Sequence, residues 1–103
     1  SALADVWQAL LPQELLEHSC LENYTRGNLR VLVDSPVHYA ELHMLVREGL
    51  LDQMRAECPN IPLSRIKLAR GLWYHIDDEG NKIELWEPTD SAFDDYYKGN
   101  TIH

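Results

Sequence analysis

The clearest pattern in the chain runs from Gly27 to Met54. Leu29, Val31 and Val33 alternate with Arg30, Leu32 and Asp34, the period-two signature of a strand with one buried face. Ser35-Pro36 then ends the strand. Serine suits a helix N-cap because its hydroxyl accepts from an orphan backbone N–H, and proline suits the first helical position, where no N–H is needed. Beyond it Leu42, Leu45, Val46, Leu50 and Met54 recur at spacings of three and four, so a long helix with one apolar stripe is predicted. Gly49 inside this helix is either an ordinary propensity cost near ~1 kcal/mol or a point of close approach.

The pattern on either side completes a small fold. Asp5 is a candidate cap for a first helix with Val6, Trp7, Leu10 and Leu11 on one edge, and Pro12 should end or bend it at Leu11. A second piece through Glu14, Leu15, Leu16 and His18 restarts with Pro12 at its first position, and His18 falls at the helix end. In Ser19 to Thr25, Cys20, Glu22 and Tyr24 alternate with Leu21 and Asn23, which reads as a strand. It pairs with the Leu29 to Asp34 strand across Thr25-Arg26-Gly27-Asn28, with Gly27 and Asn28 as the residues tolerant of positive φ. Cys58-Pro59-Asn60-Ile61-Pro62 is a connector. Arg65 to Ala69 alternates again, with Ile66 and Leu68 on one side. The predicted class is α+β: a three-stranded antiparallel or mixed sheet with two helices on one face, in the order α-β-β-α-β, followed by a C-terminal β-hairpin. That hairpin joins Leu72 to Ile76 with Lys82 to Trp86 across Asp77-Asp78-Glu79-Gly80-Asn81.

Charge changes this picture in one respect. The 103 residues carry a net charge of −8, unevenly placed. Residues 1–71 hold seven Lys/Arg against nine Asp/Glu, whereas residues 72–103 hold two against eight. Two regions follow, 1–71 as the folded domain and 72–103 as a hairpin and acidic tail, and whole-chain acidity does not by itself exclude a polyanion partner for the first. No apolar run approaches the roughly 20 residues of a membrane span, and the N-terminus lacks a signal-peptide pattern, so a soluble, cytoplasmic protein is expected. Cys20 and Cys58 are in no metal or redox spacing and read as inert thiols.

The same residues carry a resemblance. Trp7 followed by Leu10-Leu11, Glu17-His18-Ser19, the run Gly27 to Ser35, Ala40-Glu41-Leu42, Leu50-Leu51 and Ile66-Lys67-Leu68 resemble the DciA family of bacterial proteins over roughly residues 3–71. The resemblance implies a KH-like domain and a role in loading or operating the replicative helicase, with single-stranded DNA contacts. The chain departs from the family pattern at His38-Tyr39, where a tryptophan is usual, and at Pro12, where glycine is common. It also has no Gly-x-x-Gly, so it lacks the backbone-clamping loop of nucleic-acid-binding KH domains.

Candidate sites follow from the faces. With Leu29, Val31, Val33, Ile66 and Leu68 turned to the helices, Arg30, Arg65 and Lys67 fall on the opposite side of the sheet, with Arg26 and Arg70 near its rims. Clustered cations neutralise phosphates and release counterions, the main source of sequence-independent affinity; a solvated face of mixed charge is the plainer alternative. Trp73, Tyr74 and Trp86 are candidate partner-binding residues, because aromatics among carboxylates suit protein better than nucleic acid. Alternatively Trp73 and Trp86 pair across the hairpin and pack on the domain. Catalysis is not expected: His38 and His43 lie five apart, off the i, i+4 spacing of a zinc helix, and no nucleophile elbow or phosphate loop occurs. No cofactor or metal is implied. The function read here is a non-catalytic replication adaptor; the alternative is an interaction domain of the same fold that no longer binds nucleic acid.

Overall fold

The computed structural model describes residues 1–85, in the order α1 (Ala2–Leu10), α2 (Gln13–Glu17), β1 (Ser19–Thr25), β2 (Asn28–Val33), α3 (Pro36–Leu45), a π-helical turn (Val46–Leu50), α4 (Leu51–Glu57), β3 (Arg65–Arg70), β4 (Tyr74–Ile76) and β5 (Lys82–Glu84). The predicted α+β class holds: the first helical region is split at Pro12 as expected, whereas the single long helix expected after Ser35-Pro36 is broken in two at the π-helical turn. Pro12 divides the first pair and sits one residue earlier than expected, as the N-cap of α2. Ser1, rather than Asp5, caps α1 by accepting from the Ala4 N–H, and Asp5 lies within the first turn. Ser35 caps α3 as anticipated, accepting from the His38 N–H with Pro36 behind it.

Strand order is β1-β2-β3, with β1 antiparallel and β3 parallel to β2. The β1–β2 turn places Arg26 (φ 52) and Gly27 (φ 84) at positive φ, one residue before the expected pair, so Asn28 already belongs to the strand. Two successive left-handed residues match the twist of a tight hairpin. The Gly27 carbonyl accepts from the N–H groups of Ser64 and Arg65, which ties the turn to the start of β3.

The alternation expected of β1 fails at Glu22. Leu21 pairs with Val31 and Asn23 with Arg30, so Glu22 is an extra residue in a β-bulge. The physical reason is the spacing of apolar groups: Leu21 and Tyr24 are three apart, and only an inserted residue lets both face the core, where both are buried. Tyr24 completes its burial by donating its hydroxyl to the Pro62 carbonyl.

The core lies between the sheet and the helices. Leu29, Val31 and Val33 from β2 are fully buried with Leu42 and Met54, joined by Leu3, Trp7, Leu15, Leu50 and Ile66. Leu68, expected to face the helices, packs against the core but is only half-buried, whereas Ile66 on the same strand is buried. Gly49 is neither of the things the sequence suggested. It adopts φ 119, ψ 14 within the π-helical turn, and a Cβ there would meet nothing within 4 Å. The glycine is needed for its backbone: it breaks the helix so that Leu42, Leu50 and Met54 all reach the core. Gly49→Ala should therefore destabilise the protein by roughly 1–3 kcal/mol. In a regular helix the same change would stabilise by about 1 kcal/mol, so the sign in urea denaturation decides.

Candidate functional site

Two groups of polar side chains stand out from this frame. The first is the open face of the sheet. The parallel register sets Arg30 beside Lys67, Leu32 beside Ala69 and Asn28 beside Arg65, which brings Arg30, Arg65 and Lys67 onto the side away from the helices. Arg65 and Lys67 are exposed and make no ion pair among the described residues, whereas the bulge carries Glu22 to Arg30, whose Nε lies 2.6 Å from Glu22 Oε2. Alternation alone could not reveal this partner. Arg70 pairs with Val33, so it shares the helix side of the sheet and departs from the strip. Arg26 lies at the exposed hairpin turn.

The hairpin closes one end of this face. Gly71 N–H donates to the Val33 carbonyl, Gly71 has room for no Cβ without crowding Leu32 Cδ2 at 3.2 Å, and the Tyr74 hydroxyl donates to Asp34 Oδ2. Trp73 is buried, 4% exposed, outside the main core cluster. It meets Tyr74 edge to face, and Lys82 Nζ lies over both rings, 5.2 and 4.1 Å from their centroids. Of the candidate partner-binding residues, Trp73 is thus spent anchoring the hairpin, Tyr74 is half-buried, and Trp86 lies outside the described residues.

The second group is a corner that sequence reasoning missed. His18 at the end of α2, Asp34 just past β2 and His38 in the first turn of α3 meet there, because the bulge shifts the β1–β2 register by one residue and sets His18 opposite Asp34. The Asp34 N–H donates to the His18 carbonyl, and His18 Nδ1 lies 2.8 Å from Asp34 Oδ1. His38 stacks on His18 with centroids 3.8 Å apart and planes 10° from parallel. Its Nδ1 is 2.7 Å from Ser35 Oγ, and its Nε2 is 3.2 Å from Glu14 Oε1. Burial alone would raise the Asp34 pKa, but the hydrogen bonds from Tyr74 and His18, with the charges of His18 and Lys82, hold it below the usual 3.8. The same bond to Asp34, helped by burial, raises Tyr74 above 10.0.

Neither cysteine is an activated thiol. Burial, reinforced by Glu84 and Glu22 against Lys82, pushes the Cys20 thiol up to about 12, and burial beside Glu57 raises Cys58. Thiols so protonated are poor nucleophiles and poor metal ligands, in line with the inert thiols expected.

This arrangement of helices, bulged hairpin and parallel third strand is the part of the chain that matches known sequences: residues 1–68 match the family described as Dna[CI] antecedent, DciA. The chain belongs to the DciA family. DciA proteins are replication-associated adaptors without enzymatic activity. A search of curated proteins finds no match to the chain. No helix among the described residues is long and apolar enough to cross a membrane. The DciA match ends inside β3, so the hairpin that caps the open face lies beyond it.

Proposed function

We propose that this chain is a DciA-type adaptor of bacterial DNA replication with a KH-like domain, which recruits or operates the replicative helicase and holds single-stranded DNA against the open face of its sheet. The family match over residues 1–68 carries the adaptor reading. The DNA-contacting part rests on Arg65 and Lys67, two exposed cations side by side along β3 with no carboxylate engaged among the described residues. Arg30 contributes less, because Glu22 already neutralises it.

Fluorescence anisotropy with a labelled single strand tests this surface. Affinity should fall as salt rises, and each phosphate contact adds about 0.7 to the steepness of log K against log salt. Arg65→Ala with Lys67→Ala should flatten that slope by roughly 1.4 and weaken binding at low salt, while Arg30→Ala changes it less. Unaltered binding in the double variant would reject the surface. The helicase half is tested separately by co-purification with a bacterial replicative helicase; failure to associate at micromolar concentrations would remove it.

A second reading, an interaction domain without nucleic-acid binding, is favoured by the hairpin, where Leu72, Ile76 and Leu85 are each more than half exposed. Exposed apolar side chains grouped on a short element suit a protein partner. Under this reading Ile76→Ser with Leu85→Ser should weaken helicase association, while the unaltered protein shows no salt-dependent binding of the labelled single strand.

A further inference from the structure

The geometry points to a binding site for a divalent transition-metal ion, of the zinc class, formed by His18, Asp34 and His38 where α2, β2 and α3 meet. One potential donor atom from each lies within 4.8 Å of the other two. The donors lie just past α2, just past β2 and in the first turn of α3, so an ion held between them would tie the α2–β1 junction to the β2–α3 turn. Two imidazoles and a carboxylate are the donor set of zinc, cobalt and nickel, whereas calcium and magnesium prefer oxygen alone.

The surrounding groups are those expected behind metal ligands. Asp34 is almost fully enclosed, its side chain 4% exposed, and its second oxygen is fixed by the Tyr74 hydroxyl. Ser35 Oγ engages His38 Nδ1, which leaves Nε2 as that ring's ligating atom, and Nε2 already faces the Glu14 carboxylate. Outer partners of this kind fix ring orientation and tautomer. Glu14, 71% exposed on α2, is placed to supply a fourth oxygen or to hold a water. Against attraction of a cation stands Lys82, whose charge acts on Asp34; the two carboxylates Asp34 and Glu14 outweigh it.

One movement is required. An imidazole's lone pair lies in its ring plane, so two rings stacked 10° from parallel aim their pairs side by side rather than at one point. Sharing an ion means turning one ring about Cβ–Cγ, a torsion with broad wells. His18 has the room, its side chain being 37% exposed against 13% for His38. The ion takes the place of the proton between His18 and Asp34, and binding releases protons to solvent.

The test uses the full 103-residue chain with zinc and cobalt. Zinc well above its dissociation constant should raise Tm by on the order of 10 °C. Cobalt should give the intense d–d absorption of tetrahedral coordination without a thiolate charge-transfer band. His18→Ala and His38→Ala should each abolish both signals, whereas His43→Ala and His75→Ala should leave them intact. Zinc titrated into the unaltered protein should move the imidazole NMR resonances of His18 and His38 and not those of His43 and His75. This last measurement holds even if a variant fails to fold. Absence of any response to zinc in excess, retained binding in both His18→Ala and His38→Ala, or shifts confined to other histidines would overturn the site and leave the corner a proton-bridged network.

Discussion

Leu42→Ala is expected to cost about 2–5 kcal/mol, a large part of the roughly 5–15 kcal/mol that holds a small domain folded. Leu42 is wholly buried on the face of α3 that covers β2 and β3. Removing it forfeits the transfer free energy of its side chain and leaves a cavity that fully buried neighbours such as Leu29 and Val31 cannot easily fill. Urea denaturation should show a lower midpoint with an unchanged m-value. Met44, two residues on and 59% exposed, is the internal control: Met44→Ala should stay within about 0.5 kcal/mol. A Leu42→Ala cost no greater than that of Met44→Ala would mean that α3 does not seal the sheet.

Asp34→Ala should cost about 2–3 kcal/mol at neutral pH, because it strands the Tyr74 hydroxyl and the His18 ring, both half-buried, without their acceptor. The change also has a pH signature. The folded protein holds the Asp34 pKa below 3.8, so ionised Asp34 contributes stability that is fully present above that value and lost as pH falls through the lower folded value. The gap between the unaltered protein and the variant should accordingly be flat near neutrality and close in acid. At the alkaline end the sign reverses: Tyr74 is raised above 10.0, so its contribution is complete below that value and fades as pH climbs through the folded one. Paired thermal melts across the pH range check both limbs. A gap that persists unchanged into strong acid would show that the carboxylate charge at this corner is irrelevant to stability.

Much of the domain was legible because its signals are local. Ser35-Pro36 caps α3 through contacts within four residues, and the alternation of β2 needs only a core on one side to become a buried strand. The open-face position of Arg30, Arg65 and Lys67 followed from the same alternation, and the register agrees. Misreadings arose where a local rule competed with a distant demand. Glu22 gave no sign of being a bulge, since the insertion exists to let Leu21 and Tyr24 reach one core that neither can sense from its neighbours. Gly49 read as an imperfect helix residue, because the need for a bend arises only when both halves of the helix must touch the same sheet.

By itself, then, the chain's own pattern determined the order of helices and strands and the faces that β2 and β3 turn inward, since periodicity, capping and turn chemistry act over a few residues. Only the tertiary structure decided who meets whom across those elements. A one-residue shift in the β1–β2 ladder put Glu22 against Arg30 and His18 against Asp34, and the return of the hairpin put Tyr74 on that same carboxylate. Such pairings depend on the register of separate segments, which is set by the shared core rather than by the residues that end up in contact.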